Sequence, residues 1–107
     1  MNNQQPQVSN AFQLFLTQAS PHAQVWMQAV NGLDEASTLD KKTEELAYLA
    51  VLAALRMESG VPFHVQMAKQ AGASRHEIIS AILIGLPAAG QGVIQSLPAA
   101  LAAYDAE

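Results

Sequence analysis

The sequence predicts an all-α protein, a compact bundle of about five to six helices that assembles into oligomers. Apolar residues recur at helical spacing along the chain, and no stretch alternates polar and apolar residues as a half-buried strand does. Capping residues, glycines and prolines divide the chain into segments of helix length. At 107 residues, we expect a single domain over 1–107, with 1–9 as a frayed N-terminal tail.

The first two helices are predicted near the N-terminus. The segment "NAFQLFLTQA" places Phe12, Phe15 and Leu16 on one side of the first helix. Ser20 is expected to begin the second, because its side chain can accept a backbone N–H and Pro21 suits the first helical position. The polar segment "NGLDEASTL" then predicts a connection. The expected buried stripe of the second helix consists of Val25, Trp26, Ala29, Val30 and Leu33.

The third helix is predicted to be long and strongly apolar. Asp40 is its expected N-cap, and the helix is expected to run to about Met57 because Gly60 and Pro62 end it. Its central run "LAYLAVLAAL" is apolar on nearly every side. An amphipathic surface helix needs an apolar stripe of only about 100°, so this helix predicts contacts with more than one neighbour.

The remaining helices are predicted from their caps. A fourth helix is expected to start within 59–62 and to end at Ala71, with Gly72 in a left-handed conformation. In "SRHE", Ser74 and Glu77 have the spacing of a capping box for the next helix. Pro87 and Pro98 interrupt the final segment, which predicts a loop followed by a bent or broken last helix. The apolar face of the fifth helix is expected to contain Ile78, Ile79, Ile82, Leu83 and Leu86.

Composition limits the classes of partner. Half of the residues are hydrophobic and 13% are charged, whereas soluble domains average about 25% charged residues. A chain of this size cannot bury so much apolar surface alone, which predicts a homo-oligomer. The net charge of −4, without a run of lysine or arginine, argues against nucleic acid and anionic lipid as partners.

The sequence carries neither a targeting signal nor a metal-ligand pattern. The longest apolar run is about half of the roughly 20 residues that a membrane span needs. The polar N-terminus does not match a secretory signal, so we expect a cytoplasmic protein that does not interact with membranes. The absence of cysteine excludes thiolate nucleophiles and thiolate metal ligands. The histidines lack close-spaced ligand partners, so neither a metal nor a cofactor is expected.

Two segments together resemble the carboxymuconolactone decarboxylase and alkylhydroperoxidase D-like superfamily. These are "LDKKTEELAYLAV" and, at a fixed distance after it, "HVQMAKQAGASRHEIISAI". The resemblance covers roughly Leu39 to Ala88 and joins several residue types in a fixed order. It implies an alkylhydroperoxidase D-like helical bundle that forms trimers or hexamers.

The resemblance also implies site residues. The histidine of the family's CxxCxxxH motif corresponds to His64, and its proton-relay glutamate corresponds to Glu45. The two cysteine positions are occupied by Met57 and Gly60, and neither side chain can attack a peroxide or form a disulfide. Thiol-dependent peroxidase activity is therefore disfavoured.

Physical arguments favour a pair formed by His64 and Glu45. His64 lies early in its helix, where the positive end of the helix dipole disfavours the imidazolium form. Glu45 is expected to share one apolar face with Leu49 and Leu52, and partial desolvation there would raise its pKa. If the two side chains meet, Glu45 would fix the tautomer of His64, and both are candidate catalytic residues.

Two further residues complete the candidate site. Glu58 is a second candidate catalytic carboxylate. Arg56, placed about three turns after Glu45 on the same helical face, is a candidate for binding an anionic substrate. The decarboxylase branch of the superfamily works without the cysteine pair on a small anionic lactone, although its members carry a glutamate where this chain has Gly60.

Two functions of different classes follow. The first is acid-base lyase chemistry on a small anionic or carbonyl substrate, with His64 and Glu45 as the reacting pair. The second is a non-catalytic, oligomeric binding or scaffold protein, in which His64 is an ordinary core histidine. A water-accessible cleft at His64, with Glu45 or Glu58 within hydrogen-bond distance, would favour the enzyme, and a dry, packed site would favour the scaffold.

Overall fold

The computed structural model of the chain describes residues 8–106, which fall into two compact units, one up to Leu39 and one from Asp40. Every regular element in this range is helical, which confirms the all-α prediction. Six of its seven α-helices have nine or more residues, in agreement with the expected five to six. The single-domain assignment stays a prediction. Residues 1–7 of the expected tail lie outside the described residues.

The first unit consists of α1 (Asn10–Gln18) and α2 (Ser20–Ala36). Ser9 caps α1 by accepting the Phe12 N–H at 3.2 Å. In α2 Pro21 lies in the first turn, but Ala19 occupies the cap position, so the predicted cap by the Ser20 side chain is wrong. The proline alone marks this helix start.

Two other expectations for α2 are also wrong. The helix continues to Ala36, through most of the segment expected to be a polar connection. This extension has a local cause, since the leucine, glutamate and alanine of this segment favour the helix more than its single glycine opposes it. Within the expected buried stripe, Val25, Trp26 and Leu33 are exposed. A unit of two helices contains too few residues to surround such a stripe.

The second unit contains the hydrophobic core. Here α3 packs against α4 and α5, and α7 packs against α4 and α5. The largest fully buried apolar side chains are Leu49, Val61, Val65, Ile78, Ile82 and Val93. The elements in order are α3 (Lys41–Ala54), the 3-10 helix η1 (Glu58–Gly60), α4 (Val61–Gln70), α5 (Arg75–Leu83), α6 (Leu86–Ala89), the 3-10 helix η2 (Gly90–Ser96) and α7 (Leu97–Asp105).

The predicted caps of this unit are confirmed. Asp40 accepts the backbone N–H of Thr43 at 2.8 Å. Ser74 and Glu77 form the full capping box, with hydrogen bonds of 3.1 and 2.8 Å. Gly72 has a φ of +100°, the left-handed conformation expected after α4. These short-range signals fix where α3 and α5 begin and where α4 ends.

The end of α3 differs from the prediction. The helix stops at Ala54, three residues before Met57, because Arg56 adopts a left-handed φ of 60°. The Met57 N–H then donates to the Leu52 carbonyl at 2.9 Å, and the Arg56 N–H donates to the Ala53 carbonyl at 3.1 Å. This is a Schellman turn in which arginine takes the place that glycine usually occupies. Nothing in the local sequence signals such a stop.

The C-terminal segment is broken, as predicted, but it contains more helix than expected. Where a loop was expected, α6 and η2 form, and Pro87 and Pro98 lie in the first turns of α6 and α7. By length and composition alone, Arg75–Asp105 could cross a membrane, but one such segment is weak evidence for a membrane span. The residues of this range are divided among four short helical elements, and its Ile78, Ile82 and Val93 lie in the core.

The capping box gives a test of the fold. We expect Ser74→Ala to lower the free energy of unfolding by about 1 kcal/mol, because the Glu77 N–H loses its partner and the capping box is broken. Urea unfolding followed by circular dichroism measures this change. The control is Ser80→Ala, an exposed position within the same helix, which should leave the free energy of unfolding unchanged or slightly raised. Equal losses in both variants would contradict the capping argument.

Candidate functional site

His64 lies at the end of the first turn of α4. Gly60 precedes this helix, Pro62 occupies its first turn, and Val61 and Val65 point into the core. This register leaves His64 at the edge of the buried face, toward α3. Its side chain is 26% exposed, so water reaches the ring.

Glu45 lies near the start of α3 on the buried face. Leu49 and Leu52 follow it at helical spacing, and all three are buried, as the sequence predicts. Glu45 itself is 5% exposed. An ionised carboxylate at this depth destabilises the fold unless charged or hydrogen-bonding groups face both of its oxygens.

Both oxygens of Glu45 have partners. Oε1 lies 2.7 Å from Nδ1 of His64, and Oε2 lies 3.0 Å from Nζ of Lys41. The histidine reaches the carboxylate from α4, whereas the lysine lies one turn before it on α3. Lys41 was missed by the sequence reasoning, although its i,i+4 spacing from Glu45 is the usual signal for such a pair.

The prediction that the pKa of Glu45 is raised is wrong. Burial does raise the pKa of this carboxyl, but the hydrogen bonds from His64 and Lys41 and the positive charges of these partners outweigh that effect. The pKa of Glu45 is therefore held below its ordinary value. Helical periodicity indicates that Glu45 is buried, but it does not show the two donors that face the carboxylate.

The ionised Glu45 determines which nitrogen of His64 carries the proton. A carboxylate can only accept hydrogen bonds, so Nδ1 of His64 donates to Oε1. In the neutral ring the free electron pair then lies on Nε2, which can take a proton from a substrate and later return it. The pair is suited to general acid-base chemistry.

Two aromatic rings border His64. The Tyr48 ring lies 4.4 Å from the His64 ring, centroid to centroid, and the Phe63 ring lies 5.1 Å away in an edge-on arrangement. Both rings are partly open to solvent, with exposed fractions of 46% for Tyr48 and 40% for Phe63. Sequence reasoning missed both residues. Their positions beside predicted site residues, three after Glu45 and one before His64, were the available signal.

The structure does not bring Glu58 or Arg56 to this pair. Within residues 8–106, neither side chain is hydrogen-bonded or ion-paired with Glu45 or His64. Glu58 begins η1. Arg56 lies beyond the end of α3, so its placement on the helical face of Glu45 is wrong.

The arginine side chain instead lies against η2. The guanidinium lies so near Gly92 that an added Cβ there would require the Arg56 side chain to shift. The end of α3 is nine residues beyond Glu45, which is roughly 14 Å at about 1.5 Å per residue. Arg56 therefore belongs to a different part of the second unit.

The remaining described residues offer few other candidate sites. No group of three or more histidine, cysteine, aspartate or glutamate side chains among residues 8–106 is arranged to hold a metal ion. Ser96 has a fully buried hydroxyl without a hydrogen-bond partner in this range. The Glu45 and His64 pair is thus the arrangement best suited to chemistry.

Comparison with known proteins gives one family match. The sequence model of the carboxymuconolactone decarboxylase family matches residues 21–105, and this range includes the whole candidate site. Searches of curated proteins and of solved structures gave no significant match.

The low pKa of Glu45 gives a pH test. Above the ordinary glutamate pKa of about 4.3, the ionised carboxylate stabilises the folded chain, and this stabilisation is lost as the pH falls through the folded-state pKa. We therefore expect Glu45→Gln to lower the free energy of unfolding at pH 7 but to have a much smaller effect at pH 3. Urea unfolding at both pH values measures the difference.

The matched control is the neighbouring Glu44→Gln. Glu44 is less deeply buried and lies 3.7 Å from Lys41. It should change the free energy of unfolding by less than about 0.5 kcal/mol at either pH. If both variants lose the same stability at pH 7, Glu45 is not a specially stabilised carboxylate.

Proposed function

This chain belongs to the carboxymuconolactone decarboxylase family, and we propose that it carries out acid-base lyase chemistry on a small anionic or carbonyl substrate. His64 is the acid-base group and Glu45 orients it. The observation that carries the proposal is the 2.7 Å contact between Glu45 Oε1 and His64 Nδ1. It leaves Nε2 as the atom that exchanges protons with a substrate.

The proposed chemistry balances without a cofactor. In a proton transfer, Nε2 takes a proton from a carbon next to a carbonyl, and the electron pair of the broken C–H bond moves into that carbonyl. In a decarboxylation, Nε2 first takes the proton of the substrate's carboxylic acid group; the bond to the resulting carboxylate then breaks, CO₂ leaves, and the electron pair moves into the same carbonyl. The His64 imidazolium then donates its proton to the carbon.

The surroundings of His64 support the enzyme over the scaffold. The ring is accessible to water and lies within hydrogen-bond distance of a carboxylate. These two properties are expected of an acid-base group rather than of a packed core histidine. The partly exposed rings of Tyr48 and Phe63 lie beside it, and small-molecule sites commonly combine apolar side chains with a few polar groups.

The proposal assigns no peroxidase activity to the turn between α3 and α4. Met57 and Gly60 stand where thiol-dependent members of the superfamily carry cysteine, and the sequence contains none. Reduction of a hydroperoxide by this route needs a thiolate to attack the peroxide and a second thiol to close a disulfide. Neither step is open to methionine or glycine.

The activity can be tested before the substrate is identified. Small 2-oxo acids, unsaturated lactones and β-keto acids are first screened by thermal shift, because a ligand that binds only the folded state raises its melting temperature. Compounds that bind are then followed by proton NMR in D₂O. We expect deuterium incorporation beside the carbonyl, or loss of the carboxylate, faster than in buffer.

The variants make the assignment specific. His64→Gln should slow the reaction by about 10²-fold or more, whereas His76→Gln, at an exposed position on α5, should not change it. An unchanged rate in His64→Gln would contradict the proposed role. Turnover of hydroperoxide with thiol reductants that heat denaturation abolishes would contradict the assignment to lyase chemistry.

We also propose that the chain forms a homo-oligomer, a trimer or a hexamer as the family resemblance implies. The supporting observation is an apolar stripe on α3, consisting of Tyr48, Val51 and Leu55, which are exposed and follow each other at helical spacing. Stable oligomers bury such surfaces in interfaces that resemble a domain core. The same stripe supports the second candidate function, a non-catalytic oligomeric binding or scaffold protein.

Val51 allows the assembly to be tested apart from the fold. It is 50% exposed, while its neighbour Leu52 is buried. We expect Val51→Glu to reduce the molar mass measured by light scattering at micromolar concentration, because it places an unpaired charge in the interface. The circular dichroism spectrum should stay helical.

Two comparisons complete this test. Gln70→Glu adds the same charge at an exposed position of α4 and should leave the mass unchanged. Leu52→Glu should unfold the chain. A wild-type protein that is monomeric and well folded would overturn the proposed assembly.

A further inference from the structure

We propose that Lys41 is a positioning residue of the site: its ammonium holds Oε2 of Glu45, so that Oε1 stays directed at Nδ1 of His64. The inference rests on the proposed function for its importance in a reaction. The role of Lys41 in holding the pair, however, can be measured without any substrate.

Both oxygens of the Glu45 carboxylate are held by a neighbouring side chain. Glu45 receives Lys41 on one oxygen at 3.0 Å and His64 on the other at 2.7 Å. A carboxylate held at one oxygen can still rotate about its terminal bond, whereas one held at both oxygens is fixed in its plane. Removing the lysine frees that rotation and weakens the contact with the histidine.

Lys41 also supplies a positive charge beside Glu45 that does not depend on the protonation of His64. When His64 acts as a base, its ring must be neutral, so it cannot then supply the positive charge that the buried Glu45 needs. Of the groups paired with Glu45 within residues 8–106, Lys41 is the one that remains a cation in that state. Lys41 also contributes to the lowered pKa of Glu45.

The other ionisable groups around α3 have different partners. On α3 itself, Lys42 is paired with Glu77 of α5 at 2.8 Å, and Glu44 lies 3.7 Å from Lys41. On α4, Lys69 donates to the Tyr104 carbonyl at 2.7 Å. Glu58 of η1 is not paired with Glu45, and η2 contains no titratable side chain. None of these groups can replace Lys41 at Oε2.

The loss of this contact has a definite chemical consequence. If Glu45 became protonated, its hydroxyl could donate to Nδ1, and the neutral His64 ring would carry its proton on Nε2 instead. That tautomer has no electron pair available on Nε2, so it cannot act as the proposed base. Lys41 thus favours the tautomer in which Nε2 can accept a proton.

The experiment compares two adjacent lysines. Lys41→Gln and Lys42→Gln remove the same charge one residue apart, but Lys42 pairs with Glu77 rather than with Glu45. The side-chain carboxyl of Glu45 is followed by carbon-13 NMR during a pH titration. The Nδ1–H proton of His64 is followed by nitrogen-edited proton NMR at neutral pH.

We expect Lys41→Gln to raise the pKa of Glu45 and to broaden or abolish the Nδ1–H signal of His64 through faster exchange with water. Lys42→Gln should change neither signal. Lys41→Arg should preserve both, because a guanidinium can also donate to Oε2. A lysine that merely stabilised the first turn of α3 would not produce this pattern.

The outcomes separate this inference from the proposed function. Equal responses of Glu45 to Lys41→Gln and Lys42→Gln, or an intact Nδ1–H signal in Lys41→Gln, would overturn the role of Lys41. If the pattern is as expected but no carbonyl or anionic compound reacts, the positioning role stands and the lyase proposal fails. If a reaction depends on His64 but not on Lys41, the lyase proposal stands and the positioning role fails.

Discussion

One buried carboxylate constrains how α4 packs against α3. Glu45 lies among core leucines with 5% of its surface exposed, and a charge at that depth would destabilise the fold by several kcal/mol if it were unpaired. Lys41 is supplied by the same helix, but His64 must come from α4. The requirement to pair Glu45 therefore links the packing of the two helices to the geometry of the candidate site.

The turn between these helices makes that pairing possible. Arg56 ends α3 in a left-handed conformation that costs a residue other than glycine about 1 kcal/mol or more, and η1 then leads directly into α4. Gly60 faces Leu52 in this turn, and an added Cβ would lie in ordinary van der Waals contact with the Leu52 side chain, at 3.4 Å. In this chain the turn contains no cysteine, and it still positions His64.

The sequence predicted those features that short-range chemistry determines. The caps at Asp40 and Ser74, the glycine after α4 and the buried face of Glu45, Leu49 and Leu52 each follow from residues within two turns of one another. The site residues His64 and Glu45 were identified by family resemblance, and the sequence left open whether their side chains meet. The hydrogen bond by which His64 lowers the pKa of Glu45 and the contact of Arg56 with Gly92 depend on tertiary neighbours, which helical periodicity does not reveal. The early end of α3 has no signal in the local sequence.

The site and the apolar stripe share one side of α3, because Tyr48 belongs to both. Its ring borders His64, and it lies at helical spacing from Val51 and Leu55. A partly exposed imidazole in contact with water is a modest catalyst, since electrostatic interactions strengthen when water is excluded. In the proposed assembly, a second copy that covers the stripe would also reduce the access of water to His64. The same interface would then bury the exposed apolar residues of α3 and exclude water from His64.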